Sequence, residues 1–427
     1  MHFIVSTMPL LKILLVFAAM LAGIRLRLGL GLSILAGSLL LALVFGMGPL
    51  SWLDMGASAM IQEKTLYLGA IVALILVLSS IMDASGQAER FMNALRGFLR
   101  RPRLALVFFP ALIGLLPMPG GAVFSAPMVA RFADRLNLSG EDKVLLNYWF
   151  RHVWELAWPL YPGVILASSL AGVPIGRLVA YCLPAPAVCI FLGWLFVLRS
   201  KGMKQAARSG GNGITEAGDL SGALRHGLPL IISIAGAIGL ETLLALAWPE
   251  ADFEMGVTLA LAAGAACAAV QGRLPLSRLA RIVCRRHVAS MLFVIAAIFV
   301  FKEVLTGAGV VEDLAGMAGG NLALVASAVL LPFLVGWVSG ITIAFVGSAL
   351  PLMLALLGPM GLEGQLMAWL VLFMFSGYTG VMVSPMHLCF ILTCRYFETD
   401  LGRAWRRLVA PSALLLSFGV AYFLLLR

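Results

Sequence analysis

Long apolar runs are the feature that most constrains the fold of this chain. Ten runs are long enough to cross the roughly 30 Å hydrocarbon core of a bilayer as helices. They lie near residues 8–24, 28–48, 65–85, 144–171, 176–198, 227–248, 256–272, 288–305, 366–394 and 408–426. With 61% hydrophobic and only 12% charged residues, the composition excludes a soluble globular domain. We therefore predict an all-α polytopic membrane protein.

Two further apolar runs, 104–127 and 322–350, are interrupted by Pro, Gly and Ser. If each enters the membrane and returns to its own side, 24 of the 30 Lys and Arg residues fall in loops on one side. Such loops are typically cytoplasmic. We predict ten transmembrane helices plus two re-entrant hairpins in the cytoplasmic (inner) membrane, with both termini outside.

The two halves of the sequence echo each other. Pro110 and Gly114 match Pro332 and Gly336 at an offset of 222, and Pro159 matches Pro385 at 226. An odd number of crossings in each half inverts the second copy, as in many secondary transporters. We predict a first inverted repeat over 1–198, a cytoplasmic linker over 199–226 and a second inverted repeat over 227–427.

The interrupted runs provide the candidate substrate site. Irregular backbone at membrane depth is tolerated where it is buried in protein or lines a wet cavity, and helix N-termini that meet there favour an anion. A Pro-kinked helix or close packing through small residues is the alternative. The candidate substrate-binding residues, from both hairpin tips and the second broken span, are Pro119, Gly120, Gly121, Ser125, Ser339, Gly340, Thr342, Thr379, Ser384 and His387. We expect no free cationic side chain at either tip, so amides and hydroxyls would coordinate the ligand.

The densest polar cluster inside any span consists of Arg151, His152 and Glu155. Their spacing allows all three to share one helical face near the midplane, where charged groups usually mark ion or substrate paths. We predict an ion-coupling role for these residues. A structural Arg–Glu pair is the alternative.

Three segments, "LPMPGGAVFSAPM", "NYWFRHVWELAWPLYPG" and "GYTGVMVSPMHLCFILT", resemble a family of prokaryotic integral membrane proteins, domain of unknown function 401. The resemblance covers nearly the whole chain. It implies membership of the ion-transporter superfamily, with gluconate permeases, dicarboxylate carriers and divalent-anion/sodium symporters as relatives. It also implies an elevator-type carrier and a homodimer.

The sodium-binding relatives carry Ser-Asn-Thr signatures at both hairpin tips. The matching positions here read Pro119-Gly120-Gly121 and Ser339-Gly340-Ile341-Thr342. Proton coupling and sodium coupling therefore both stay open. No cofactor is expected apart from a sodium ion near Gly121 and Ser339, and no other metal site is predicted.

The function predicted is secondary active transport of a small, carboxylate-type organic anion, with the bilayer as the other partner and no nucleic acid. A Na⁺/H⁺ or other cation antiporter is the alternative, and an intramembrane enzyme using Ser339 and His387 is a remote one. We expect no enzymatic activity. The six cysteines lie in or beside apolar segments without a CxxC pair, and we interpret them as small apolar residues.

Overall fold

The computed structural model describes residues 2–96, 98, 102–115, 121–134, 136–199, 218–248, 253–315 and 320–427. Within these residues the chain is all-helical and has no β-strand, so the predicted fold class is confirmed. The helices of the first half are α1 (His2–Arg25), α2 (Leu30–Val44), α3 (Pro49–Ile61), α4 (Glu63–Ala84), α5 (Gln87–Arg96), α6 (Pro102–Gly114), α7 (Ala122–Asp134), α8 (Gly140–Arg151), α9 (Pro162–Ala171), α10 (Ile175–Cys182) and α11 (Pro184–Gly193).

The second half is also helical within the described residues. Its helices are α12 (Leu220–Ala247), α13 (Phe253–Gly272), α14 (Leu276–Val283), α15 (Arg286–Gly307), α16 (Val310–Ala315), α17 (Gly320–Val325), α18 (Leu331–Ser339), α19 (Thr342–Leu357), α20 (Leu366–Met382), α21 (Leu388–Tyr396) and α22 (Leu401–Leu426). Helix α12 begins at Leu220, inside the predicted linker 199–226.

Eight helical segments among the described residues are long and apolar enough to cross a membrane, which is compatible with a multi-pass membrane protein. Some of these segments join neighbouring helices named above. The eight segments are Glu63–Ala84, Ile175–Leu198, Leu220–Leu240, Glu254–Gly272, Leu276–Gly307, Leu322–Ser339, Glu363–Met382 and Leu401–Leu426. The segment Leu322–Ser339 is the first limb of the second predicted hairpin, and its 18 residues are also enough for a crossing. The count of ten crossings with two hairpins stays a prediction.

Two apolar runs are broken near their centres, as their prolines predict. The first run is helical to Arg151, continues through turns and becomes helical again at Pro162. The second leaves the helix after Met382 and resumes it at Leu388. Proline lacks an N–H and favours an extended conformation in the residue before it, and Tyr161, which precedes Pro162, has an extended backbone.

The two halves repeat specific contacts. The indole of Trp158 donates to the carbonyl of Leu115 at 2.9 Å. In the second half, the hydroxyl of Ser384 donates to the carbonyl of Trp337 at 2.6 Å. The donors differ by 226 residues and the acceptors by 222, which are the two offsets found in the sequence.

A close helix approach is repeated with the same offsets. A Cβ at Gly114 would clash with the carbonyl oxygen of Arg151, and a Cβ at Gly336 would clash with that of Gly377. In each half, a glycine of the helix preceding the hairpin tip lies directly against the backbone of the helix that is later broken. Only glycine permits this distance between the two backbones.

Candidate functional site

A cavity of about 290 Å³ lies where the broken helices and the second predicted hairpin meet. Residues at the end of α8, the turn that follows it, and the beginnings of α9, α19 and α21 form most of its wall. Leu76 of α4 and His287 and Met291 of α15 complete it. The cavity therefore joins residues from both halves of the sequence at the chain interruptions.

Three helix N-termini face this cavity. The residues preceding the first turns of α9, α19 and α21 are Tyr161, Ile341 and His387, and all three line the cavity. Among the described residues, no side chain caps any of these three first turns. By contrast, Ser139 and Asp400 cap α8 and α22 with their side chains. The positive ends of three helices together favour negative charge in the cavity.

Arg151 brings a cationic side chain to the first hairpin tip. It is the last residue of α8, is only 4% exposed and lines the cavity. Its Nη1 donates to the carbonyl of Ile113 at 3.4 Å. A Cβ placed on Gly121 would lie 2.6 Å from both terminal guanidinium nitrogens. Because the backbone turns at Arg151, this bonded guanidinium lies against Gly121 at the first tip. The expectation that no free cationic side chain lies at either tip stays a prediction.

Glu155 and Thr342 connect the first broken span to the second predicted hairpin. The hydroxyl of Thr342, the first residue of α19, donates to the carboxylate of Glu155, and both side chains are buried. The prediction that Arg151, His152 and Glu155 share one helical face is wrong. Helix α8 ends at Arg151 and the next residues form turns, so helical spacing does not apply. The three residues nevertheless line the same cavity.

Two buried histidines, His152 and His387, are in contact at the cavity. The rings of His152 and His387 lie 4.7 Å apart in an edge-to-face arrangement. Tyr148 bonds both: its backbone carbonyl lies 2.7 Å from Nδ1 of His152, and its hydroxyl lies 3.1 Å from Nδ1 of His387. The hydroxyl of Tyr378 donates to the carbonyl of His152 at 2.6 Å. These bonds fix the histidines at the two chain breaks.

Gly340 closes the tip of the second predicted hairpin. Its φ of +64° lies in the left-handed region that favours glycine. A Cβ at this position would also lie 2.8 Å from the backbone N and Cα of His387. The turn between α18 and α19 therefore packs directly against the second chain break, and glycine is required for both reasons.

The structure brings only part of the predicted substrate set to the cavity wall. Gly340, Thr342 and His387 line it, together with the predicted ion-coupling residues Arg151, His152 and Glu155. Gly121 contacts the guanidinium of Arg151 instead of the cavity itself. Pro119 and Gly120 lie outside the described residues.

The remaining predicted residues use their hydroxyls elsewhere. Ser125, Ser339 and Thr379 donate to carbonyls of their own helices, and Ser384 donates to Trp337 of the neighbouring helix. None of the four lines the cavity. A sodium ion near Gly121 and Ser339 stays a prediction.

Sequence reasoning missed Cys389 and His287, which line the cavity together with Tyr161. Tyr161 directly precedes the Pro162 that begins α9. Cys389 could have been noticed two residues after His387. His287 carried no signal, because it lies on a continuous helix, α15, in another part of the sequence.

Within the residues that the structure describes, the protein is all-helical, has apolar, membrane-length helices and carries a cavity at its helix interruptions. Over residues 7–426 the sequence matches the model of a family described as "Protein of unknown function (DUF401)". The chain belongs to this family, which confirms the resemblance inferred from the three sequence segments. No curated protein matches the sequence.

Proposed function

We propose that this protein is a secondary active transporter of a small, carboxylate-type organic anion in the cytoplasmic membrane. The observation that carries the proposal is the meeting of three helix N-termini and the Arg151 guanidinium at one cavity. Main-chain amides, helix dipoles and a guanidinium are the groups that proteins use to bind carboxylates. A cavity of about 290 Å³ is near the lower end of the range for small-molecule sites.

The repeated contacts support a carrier built from two inverted repeats. The Trp158–Leu115 and Ser384–Trp337 bonds occupy equivalent positions. The bond between Tyr378 and His152 joins two residues that differ by 226, the offset of the sequence repeat. A contact between equivalent positions is expected where a pseudo-two-fold axis crosses the molecule. In transporters with such repeats, substrate sites lie at the repeat interface near the midplane.

The proposal includes an elevator mechanism, placement in the ion-transporter superfamily and a homodimer. In such a carrier, the two hairpins and the broken helices around the cavity would move together against the remaining helices. The contact of Gly340 with His387 and that of Gly121 with Arg151 support this division, because they join each tip to a chain break. Glu155 is the proposed coupling carboxylate, since it lines the cavity and bonds to the hairpin residue Thr342.

A cation antiporter is the second candidate. The observation that favours it is the buried Glu155 carboxylate at the cavity, which could bind a proton or Na⁺ without any organic anion. The intramembrane enzyme has less support, because the Ser339 hydroxyl bonds within its own helix and does not line the cavity that contains His387.

The test is a thermal-shift screen of purified protein against small mono-, di- and tricarboxylates, with Na⁺, K⁺ and pH varied independently. Binding to the native state raises the melting temperature by mass action. We expect a shift that requires an organic anion, and uptake of the same anion into proteoliposomes under an ion gradient. A shift produced by Na⁺ or pH alone, with no effect of any anion, would establish the antiporter instead.

A pair of variants tests whether Arg151 takes part in anion binding. The double variant Arg151→Gln/Glu155→Gln removes both charges together, so neither is stranded in the protein interior. It should lose the anion-dependent shift. Arg403→Gln, which changes a guanidinium that is 72% exposed, should keep it. Equal anion shifts in both variants would exclude Arg151 from the site.

A further inference from the structure

Cys389 lies beside the two buried histidines at the chain breaks. One nitrogen from each of His152 and His387 and the Sγ of Cys389 all lie within 4.8 Å of one another. The exposed fractions of these residues are 4%, 7% and 7%. They come from two different elements, the turn after α8 and the beginning of α21, so the fold and not local spacing assembles the group.

The outer hydrogen bonds determine which ring nitrogen can bind an ion. Nδ1 of His152 faces the carbonyl of Tyr148, and a carbonyl can only accept, so this nitrogen donates. Nδ1 of His387 faces the carbonyl of Val381 at 3.3 Å as well as the hydroxyl of Tyr148. That hydroxyl is itself within donating distance of the carbonyl of Met382 at 3.1 Å. With the Tyr148 hydroxyl donating to Met382, both rings hold their proton on Nδ1 and present Nε2 as a ligand. Metal-binding histidines in proteins are commonly oriented in this way.

The position of the thiol also suits a ligand. Cys389 is the second residue of α21, and the first turn of a helix favours negative charge. Metal ions bind the thiolate form of cysteine. One thiolate with two imidazoles is a donor set that selects borderline or soft transition metals over Na⁺, Mg²⁺ or Ca²⁺.

From this geometry we infer that His152, His387 and Cys389 form a binding site for a transition-metal ion of the Zn²⁺ type. Ligand atoms around a tetrahedral zinc are separated by roughly 3.3–3.7 Å, given bond lengths of about 2.0–2.3 Å. The three ligand atoms would therefore approach one another by about 1 Å when the ion binds. All three line the cavity, so the fourth coordination position faces it.

This site is distinct from the proposed transport function but shares its cavity. Zn²⁺ bound to one thiolate and two neutral imidazoles keeps a net positive charge. An ion held there would add to the attraction for an anion that the helix N-termini provide. Metal binding can be measured in detergent without any organic anion or gradient, so its outcome is independent of the transport test.

The experiment uses the full chain in detergent with its affinity tag removed, titrated with Co²⁺ as a spectroscopic substitute for Zn²⁺. We expect a thiolate-to-cobalt charge-transfer band that saturates at one equivalent per chain and is displaced by Zn²⁺. Cys389→Ser should lose this band, and His387→Gln should weaken Co²⁺ binding at least tenfold. Cys394→Ser alters a buried cysteine of the same helix and should leave the band unchanged.

A second measurement needs no variant and so does not depend on mutant folding. The native protein is first treated with a small maleimide, or left untreated, and is then unfolded and alkylated with a second reagent. Mass spectrometry then reports how far each cysteine was protected from the maleimide. Zn²⁺ should protect Cys389 selectively. The inference is overturned if Co²⁺ gives no thiolate band with wild type, if Cys389→Ser keeps the band, or if Zn²⁺ leaves the reactivity of Cys389 unchanged.

Discussion

At the scale of single residues, Arg151 and Glu155 link the two halves of the site. Arg151 contacts Gly121 of the first tip, and Glu155 accepts a hydrogen bond from Thr342 at the second. The sequence allowed two interpretations of this pair, ion coupling or a structural Arg–Glu lock. The contacts with the tips make both testable with one set of variants.

We expect Glu155→Gln to change the pH or Na⁺ dependence of transport more than it changes stability. The glutamine amide oxygen can still accept from Thr342, so the hydrogen bond to α19 is retained while the ionisable group is lost. Uptake in proteoliposomes over a range of pH and Na⁺ concentration measures the effect. Should the variant fail to assemble, and Arg151→Met restore assembly, the pair is structural, because removal of one partner strands the other buried charge.

We expect Gly121→Val to abolish transport and to weaken anion binding at least tenfold while the protein stays folded and inserted. The new Cβ would lie 2.6 Å from the guanidinium nitrogens of Arg151 and must displace them. A tenfold loss corresponds to about 1.4 kcal/mol. Gly176→Ala, in α10, is the control, since nothing lies within 4 Å of its Cβ position. Normal transport by Gly121→Val would mean that the first tip only packs.

At the scale of helices, the prolines predicted that two spans are interrupted. They did not predict the residue at which the first interruption begins. Pro159 and Pro162 indicated an interruption, yet α8 already ends at Arg151, eight residues before the first proline. The intervening residues are mostly apolar, so their sequence predicts that the helix continues. Bonds from distant residues hold the turn open, such as that from Tyr378 to the carbonyl of His152. Contacts of this length cannot be read from local sequence.

The glycine at the second tip provides a prediction at this scale. We expect Gly340→Ala to lower the melting temperature more than Gly361→Ala. Both residues have positive φ, +64° and +68°, so each substitution costs about 1–2 kcal/mol of backbone strain. Only Gly340 has backbone atoms of His387 at 2.8 Å from the Cβ position, whereas nothing lies within 4 Å at Gly361. Equal losses for both variants would show that the contact between tip and chain break is loose.

At the scale of the whole molecule, the offsets of 222 and 226 were readable from the sequence because prolines and glycines marked equivalent turns. The composition of the cavity was not readable. His152 and Cys389 are separated by more than half of the chain, and Cys389 lies in an apolar segment. The interpretation of the cysteines as packing residues followed from that local context, and the proximity of Cys389 to two histidines emerges only from the fold.

The inverted repeat predicts opposite sides for two engineered cysteines. Gly211→Cys, in the predicted linker and outside the described residues, should react with a membrane-impermeant thiol reagent only after permeabilisation. Arg427→Cys should react in intact cells. Cys284 is native and exposed, and it lies between the predicted spans 256–272 and 288–305, on the same predicted side as the linker, so it serves as an internal marker for that side. Labelling of positions 211 and 427 from the same side would contradict an odd number of crossings in the second repeat.

The three uncapped helix N-termini have a consequence for how this site can change in evolution. Main-chain amides are present whatever side chain a residue carries, so substitutions at Ile341 or Leu388 alter the shape of the cavity and leave its attraction for negative charge in place. Only proline removes an amide donor, and of the three helices only α9 begins with one, Pro162. The apolar lining of such a cavity can therefore change by substitution, while the positive helix ends that face it are inherited with the backbone.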